Sequence, residues 1–162
     1  MPFGHGVIRT PRQFDALFLS QRPYFPLGTL REAVCYPSAP DSYSDSEIKD
    51  VLHSVGLSRL TDRLDRSGNW SEELSGADQQ RVGFARALLH QPAWLFCDEA
   101  TSNLDDSSQA SLYQLLIRQL PNTTIVTVTG REELALHHTR RWELRGTDGG
   151  IYELRDLDTH LA

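Results

Sequence analysis

The sequence predicts an α/β fold in which a mostly parallel sheet is combined with a helical subdomain and a C-terminal β-hairpin. Short apolar or β-branched runs at 16–19, 93–97 and 123–129 have the length and composition of strands. Helical patterns separate these runs, and the order strand–helix–strand–helix is typical of parallel sheets with right-handed crossovers. Two further short runs, joined around the DGG at 148–150, indicate the hairpin.

Length and composition limit what the chain can be. Its 162 residues suit one domain with a real core. The net charge of −6 argues against a nucleic-acid-binding face, which needs clustered Lys and Arg. No apolar run approaches the roughly 20 residues that span a bilayer, and no signal segment is evident, so we expect any membrane role to come through a partner. Cys35 and Cys97 lack metal-type spacing; Cys97 is expected to be a small core residue in a cytoplasmic protein.

The first half of the chain predicts one strand followed by a helical block. Residues 16–19 are expected to form a buried strand that ends at Ser20-Gln21, and the RPYFP at 22–26 turns the chain. A short helix is predicted over 29–34. The next helix begins at a capping box, SDSE at 44–47, and stops at Gly56. Its apolar face is predicted from Ile48, Val51, Leu52 and Val55. A further turn or two is predicted from Leu57, Leu60 and Leu64.

A small-residue turn at 74–78 opens the helix predicted over Gln79–His90, which Pro92 ends. The first amides of a helix have no internal partners, and the aligned peptide dipoles make this end positive. The turn therefore predicts a phosphate-binding site with the Ser75 hydroxyl as an extra donor. The alternative is that Ser75 is an N-cap and nothing more.

The apolar run 93–97 closes on Asp98-Glu99. In parallel sheets ligands gather at the carboxyl ends of the strands, and an unpaired buried charge is costly. Asp98 is therefore a candidate magnesium ligand and Glu99 a candidate group for polarising water. The alternative is that both carboxylates only cap the turn at Thr101-Ser102.

The last third predicts an amphipathic helix over 106–120, a buried strand over 123–129 and a short helix over 131–138. Leu112, Leu115 and Leu116 supply the apolar face of the first of these helices. The hairpin strands are expected at 140–145 and 151–155.

Several motifs occur together in a specific order. LSGADQQR resembles the signature, AWLFCDE the Walker B strand and ATSNLD the D-loop of the nucleotide-binding domain of ATP-binding cassette (ABC) transporters. The 23-residue separation of Ser75 from Asp98 also suits that family. Trp70-Ser71 and LPNTTIVTV resemble the subgroup that includes peroxisomal fatty-acyl transporters and bacterial fused ATPase-permeases for peptides or vitamin B12.

The resemblance implies a fold, cofactors and site residues. The fold would be an incomplete P-loop NTPase-type sheet, and the cofactors ATP and Mg²⁺. LFLSQRPYFPLGTLREAVCYP resembles the Q-loop region, so Gln21 would contact magnesium and the attacking water, beside Asp98 as magnesium ligand and Glu99 as general base. The further nucleotide-contacting residues would be Ser75, Gly76 and Ala77, acting on ATP held by a second domain, and Asp105 of the D-loop.

The same resemblance implies how the chain is divided and what it binds. Residues 1–162 would be a single truncated ABC ATPase domain: 1–21 the Q-loop strand region, 22–74 the helical subdomain, 75–138 the signature, Walker B, D-loop and following strand and helix, and 139–162 the hairpin. Its partners would be a second nucleotide-binding domain, dimerised across ATP, and a transmembrane permease domain, with no nucleic acid. Its location would be the cytoplasm, or the cytoplasmic face of the membrane through the permease.

Three departures from the family pattern bear on activity. No G-x-x-x-x-G-K-[ST] phosphate loop occurs in the sequence. Gly130 stands where the switch histidine is expected, and His137 and His138 come too late to match it. The signature carries Ala77 for its second glycine and Asp78 for Gln or Glu, which weakens anion binding by size and like charge. Phosphoryl transfer depends on positioning and charge stabilisation, so negligible ATP hydrolysis is expected of this chain alone.

Two other functions compete with an ABC-transporter ATPase portion. The chain could be a degenerate, non-catalytic interaction module or gene remnant that docks on an intact partner ATPase. It could also be the tail half of a chromosome-maintenance ATPase, although the Q-loop, the helical block and the lack of heptads count against that. Truncation of a longer cassette is the simplest expectation for the missing phosphate loop.

Overall fold

A parallel three-stranded sheet is the centre of the structure, a computed structural model that describes residue 7, residues 9–146 and residues 152–157. Its strands are β1 (Ala16–Ser20), β4 (Trp94–Asp98) and β5 (Thr124–Val128), in the order β1-β4-β5. Both pairings are parallel, and Leu17, Leu95 and Ile125 stand side by side across the sheet. This arrangement confirms the predicted α/β class and strand direction.

Helices and two small antiparallel ladders complete the chain. The α-helices are α1 (Leu30–Cys35), α2 (Asp45–Ser54), α3 (Trp70–Glu73), α4 (Gly76–His90) and α5 (Asp106–Gln119). The 3₁₀ helices are Ser58–Arg63 and Glu132–His137. The remaining strands are β2 (Gly28–Thr29) with β3 (Ser67–Gly68), and β6 (Trp142–Gly146) with β7 (Tyr152–Asp156).

The core lies on one face of the central sheet. Side chains alternate along a strand, and Leu17, Leu19, Leu95 and Cys97 are buried on the same face. The core also contains apolar residues of α4 and α5, among them Val82, Phe84, Leu112, Tyr113 and Leu116. The expected core position of Cys97 is confirmed.

The opposite face of the sheet carries aromatic side chains that remain partly or largely exposed. Phe18 is 68% exposed, and its ring stacks on Phe96 with 4.7 Å between centroids. Trp94 stacks beside Phe96 at 6.3 Å, and Phe14 lies at the same distance from both rings. The prediction that residues 16–19 form a buried strand is therefore wrong for one of its two faces.

The prediction that 123–129 is a buried strand is wrong in its burial, although the strand itself exists as β5. None of its residues is fully buried, and Val128 is exposed. The reason is that, among the described residues, β5 lies at the edge of the sheet and has a strand on one side only. A β-branched run indicates a strand but does not report how many sides of it are covered.

The helical block is fixed by local capping and by one buried arginine. The predicted capping box of Ser44 and Glu47 is present, and Thr29 with Glu32 forms a second box that the sequence analysis missed. Gly56 adopts φ +79°, a conformation that favours glycine and ends α2. Arg86 of α4 donates through Nε and Nη2 to the Ala33 carbonyl, at 2.9 and 2.7 Å, which joins α4 to the end of α1.

The predicted C-terminal hairpin is present as β6 and β7. Glu143 pairs with Arg155 and Arg145 with Glu153, so opposite charges face each other on one side of the ladder. The predicted turn at 148–150 lies outside the described residues.

Candidate functional site

The carboxyl ends of β1 and β4 bring three predicted site residues to one edge of the sheet. Ser20 of β1 pairs with Asp98 of β4, so Gln21 and Glu99 are the residues that directly follow these two neighbouring strands. Gln21 and Asp98 are exposed, and Glu99 is half-buried. Two oxygen-bearing side chains on adjacent strand ends fit magnesium, which prefers oxygen and keeps several of its waters and substrate phosphates as ligands.

Glu99 is held in an unusual backbone conformation. Its φ of +48° lies in the left-handed region, which costs a residue with a side chain about 1 kcal/mol or more. Its N–H donates to the Val128 carbonyl at 3.0 Å, and its Oε1 accepts from the Gly130 N–H at 3.0 Å. The loop after β5 therefore holds both the backbone and the carboxylate of Glu99. The carboxylate is bonded to this loop, and not to the turn at Thr101-Ser102 that the alternative reading proposed for it.

The helix α4 begins at Gly76, three residues before the predicted Gln79, and Ser75 is its N-cap, as the alternative interpretation of Ser75 had it. Ser75 Oγ accepts from the Asp78 N–H at 3.2 Å and donates its own hydrogen to Asp78 Oδ2 at 2.7 Å. Arg59 Nη2 pairs with the same Asp78 oxygen at 2.6 Å. The hydroxyl hydrogen expected to be free for a phosphate is thus engaged by Asp78, while Ser75 and Gly76 stay exposed to solvent.

The turn 75–77, which the resemblance identifies as the signature turn, lies against the D-loop, residues 100–105. A Cβ atom built on Gly76 would meet Asn103 Nδ2 at 2.9 Å and Asn103 Cγ at 3.1 Å. A larger residue at position 76 would therefore have to displace the exposed Asn103 side chain. The two motifs, which are separated by more than twenty residues in the chain, therefore form one surface.

Asp105 closes the D-loop and begins α5 as its N-cap. Its carboxylate accepts from Ser107 Oγ at 2.6 Å, and from Ser108 N–H and Oγ at 2.8 and 2.9 Å. The Ser107 hydroxyl, followed by the Ser108 amide and hydroxyl, holds the pKa of Asp105 well below its usual range. These bonds occupy the carboxylate within its own helix end.

Gln80 is the main residue of the site that the sequence analysis missed. Its side chain is buried at the centre of the loops that carry Gln21, Glu99 and Asn103. A signal was available in the sequence, because position 80 shares a helical face with the buried Phe84 and Ala87. A polar residue on a core-facing stripe needs hydrogen-bond partners.

Arg131 was also missed, and it braces the D-loop from the other side. Its Nη2 donates to the carbonyls of Ser102 and Leu104, at 3.3 and 3.1 Å. Its Nη1 donates to Gln109 Oε1 at 3.2 Å and lies 3.4 Å from Asp106. Residue 131 follows directly on Gly130, so the loop after β5 contacts both Glu99 and the D-loop.

The two histidines that do not match the switch position, His137 and His138, lie against residues of α5 and β5. His138 Nδ1 is 2.9 Å from the Leu134 carbonyl, so this nitrogen carries the hydrogen, and Nε2 accepts from Thr127 Oγ1 at 2.9 Å. His137 stacks on Tyr113 with 5.7 Å between ring centroids. Burial, and then the neighbouring His138, lower the pKa of His137. These contacts join the 3₁₀ helix to the core.

No group of three or more His, Cys, Asp or Glu side chains in the described part of the chain is arranged to hold a metal ion by itself. Gln21 and Asp98 offer only two oxygen ligands, so magnesium here would complete its shell from water and phosphate. None of the helices in that same part has both the length and the apolar character needed to cross a membrane.

Next to the Q-loop edge lies an exposed apolar surface of the helical block, formed by Tyr24, Leu27 and Tyr36. Tyr24 is 62% and Leu27 81% exposed, and the Tyr24 and Tyr36 rings lie 5.1 Å apart. A shallow groove beside them is lined by Leu19, Pro23 and Arg86, among others. Burial lowers the pKa of Arg86 to about 10, and the guanidinium lies over the rings of Phe25 and Tyr36.

Comparison with known proteins agrees with this geometry. The ABC transporter family matches residues 8–102. An uncharacterised ABC transporter ATP-binding protein of Haemophilus influenzae is 40% identical over 139 residues, which are 86% of this chain and 23% of that protein. The mouse lysosomal cobalamin transporter ABCD4 is 41% identical over 85% of this chain and 24% of its own length, in agreement with the predicted subgroup.

A solved structure shows the same fold. A bacterial Atm1-family ABC exporter with ATP bound superposes with a TM-score of 0.67 at 22% identity, over 78% of this chain and 23% of that one. The chain thus spans about a quarter of the length of the relatives that it matches. Motif order, strand-end geometry and these matches agree: the chain belongs to the ABC transporter family, in its ATP-binding domain.

Proposed function

We propose that the chain provides half of each of two nucleotide sites in an ABC transporter. Gln21, Asp98 and Glu99 would serve the nucleotide held by their own domain, with Asp98 and Gln21 as magnesium ligands and Glu99 orienting or deprotonating water. When bound, the metal would supply charge neutralisation at the phosphates. The observation that carries the proposal is the placement of these three residues on the ends of paired strands, next to the amino end of α4.

The opposite half of the proposal concerns the turn 75–77 and Asp105. Ser75, Gly76 and Ala77 would contact ATP held by the second domain, through the unpaired amides at the amino end of α4. The exposure of Ser75 and Gly76 and the contact of Gly76 with Asn103 support this role, while Ala77 is partly buried. The division into a Q-loop strand region, a helical subdomain, a signature-to-helix region and a hairpin, at 1–21, 22–74, 75–138 and 139–162, is part of the same proposal.

A permease domain is the proposed membrane partner. The exposed Tyr24, Leu27 and Tyr36 form an apolar patch on the helical block, and such patches mark contact sites. The chain would then work at the cytoplasmic face of a membrane through that partner.

ATP hydrolysis by these 162 residues alone is expected to be negligible. The amide cradle and lysine of a phosphate loop hold the β- and γ-phosphates in this class of enzyme, and the sequence contains no such loop. Without them, Asp98 and Glu99 have no positioned triphosphate to act on.

The test is to join the chain to the upstream phosphate-loop segment of an ABC relative and to measure ATPase activity. The completed domain should hydrolyse ATP, and Glu99→Gln should lower kcat by about 10²-fold or more, the range for loss of a general base. The unmodified chain is the negative control. Equal kcat for the completed domain and its Glu99→Gln variant would show that Glu99 has no catalytic role.

A second candidate is a non-catalytic module that docks on an intact partner ATPase. It is favoured by the bond between Ser75 and Asp78 and by Gly130 at the position expected for a histidine. Pull-down with a complete cassette domain, with and without ATP, tests it. ATP-dependent capture combined with an inactive completed domain would favour this candidate over the first.

A further inference from the structure

The buried carboxamide of Gln80 connects three loops of the site. Only 1% of the residue is exposed, although it carries four polar contacts. Its Nε2 lies within hydrogen-bond distance of three acceptors: Ser102 Oγ at 3.0 Å, the Gln21 carbonyl at 3.1 Å and the Glu99 carbonyl at 3.4 Å. Its Oε1 accepts from the Asn103 N–H at 3.0 Å. One side chain therefore contacts Gln21 of the Q-loop, Glu99 at the end of Walker B, and the D-loop.

These contacts cross long distances in the sequence. Gln80 is 59 residues from Gln21 and 23 from Asn103. Asn103 also lies against Gly76, so the D-loop is held between the signature turn and the Gln80 side chain. A buried polar group that loses its partners is costly, so the loops and the carboxamide constrain one another.

The Gln80 Nε2 group has fewer hydrogens than acceptors, so its contacts are sensitive to a displacement of α4. Two N–H hydrogens of Gln80 serve three acceptors, and the longest contact, to the Glu99 carbonyl, is the one that a small shift of α4 changes first. Ser75 lies five residues earlier at the amino end of the same helix. Because a helix moves as a nearly rigid unit, a displacement of the signature turn is carried to the carboxamide.

We infer that Gln80 is a positioning residue that couples the turn 75–77 to Gln21 and Glu99. Anything that shifts α4 through its exposed amino end changes the support of the loops on the sheet edge. The inference rests on the proposed function, in which the two ends of this connection face different nucleotides. Gln80 itself touches no reacting atom.

The first test measures the connection in the chain as it stands, by amide hydrogen exchange. Gln80→Met removes both donors and the acceptor at similar volume. Exchange of segments 20–22 and 100–104 should become faster by about tenfold, the effect of losing one or two hydrogen bonds, while α2 keeps its protection. Gln79→Met is the matched control for exchange, because the Gln79 side chain donates to the carbonyls of Ser71 and Leu74, outside these loop segments.

Two results of the exchange experiment overturn the inference. One is unchanged exchange in both loop segments of Gln80→Met. The other is an equal increase across the whole chain, which would make Gln80 an ordinary core residue. If Gln80→Met does not fold, Gln80→Glu replaces it, since a carboxylate keeps the acceptor for Asn103 but cannot donate; failure of both variants to fold also overturns the inference.

The second test uses the completed domain and compares the effect of the substitution on kcat with its effect on KM for ATP. Gln80→Met should lower kcat about tenfold while KM for ATP changes by less than about twofold, because loop geometry changes and nucleotide binding does not. Gln114→Met, at an exposed position of α5, should match the unsubstituted domain. A raised KM with unchanged kcat contradicts coupling. An inactive unsubstituted domain would refute the proposed function, yet hydrogen exchange would still decide the role of Gln80.

Discussion

The two faces of the central sheet differ more than the similar strands of the sequence suggest. On the face toward α4 and α5, Leu95 is fully buried and Cys97 nearly so. On the other face, Phe18 and Val128 are mostly exposed, although Phe18 stacks on Phe96. Neighbouring residues of one strand are therefore expected to contribute very different amounts to the free energy of unfolding. Apolar content identifies a strand, whereas the elements packed against it decide which of its residues hold the fold together.

The largest effect on stability is expected at the centre of the sheet face that packs against α4 and α5, here called the covered face. Leu95→Ala should lower the free energy of unfolding by about 3 kcal/mol, through lost burial and the cavity left behind. Urea unfolding followed by circular dichroism measures it. A loss below about 1 kcal/mol would mean that the helices do not pack on this face as the structure shows.

A smaller effect is expected where the covered face carries a polar bond. The buried Tyr113 hydroxyl lies 3.1 Å from Thr127 Oγ1 on β5, and Tyr113→Phe removes this contact at nearly constant volume. The free energy of unfolding should fall by about 1 kcal/mol. Thr127→Val also removes the bond from Thr127 Oγ1 to His138 Nε2, so the comparison is made in that background: Tyr113→Phe should cost less there than in the unsubstituted chain, and an equal cost in both would exclude a direct bond.

The opposite face of the sheet, which carries Phe18 and Phe96, should tolerate substitution. Phe18→Ala removes a mostly exposed ring and one stacked pair, so the free energy of unfolding should change by less than about 1 kcal/mol. The same urea titration as for Leu95→Ala makes the two values directly comparable. Similar losses at residues 18 and 95 would contradict the difference between the faces.

The smallest signal is expected from Cys97 toward thiol reagents. Burial raises the pKa of this thiol to about 12, so at pH 8 only about one molecule in 10⁴ would carry a thiolate. Absorbance with a disulfide reagent should show almost no reaction of the native chain with Cys35 replaced by serine, and full reaction after denaturation. Rapid labelling of the native chain would show that the covered face opens easily.

Sequence reasoning recovered the central strands, the longer helices and the hairpin, but not the β2–β3 ladder or α3, and only part of the site. The strands, α4 and the Ser44 capping box follow from local patterns, and the ends of β1 and β4 were placed correctly because parallel strands end at one edge. The contacts of Gln80 and Arg131 could not be derived, since they join segments that are distant in the sequence. The bond from the Gly130 amide to Glu99 belongs to the same class.

At residue 99 a conformational cost in the backbone is set against a hydrogen bond of the side chain. Glycine would adopt that φ of +48° without strain, so Glu99→Gly should relieve the conformation that a side chain resists. The same change would remove the carboxylate that accepts from the Gly130 amide, so the loop after β5 would keep only one of its two bonds to residue 99, the one from the backbone amide to Val128.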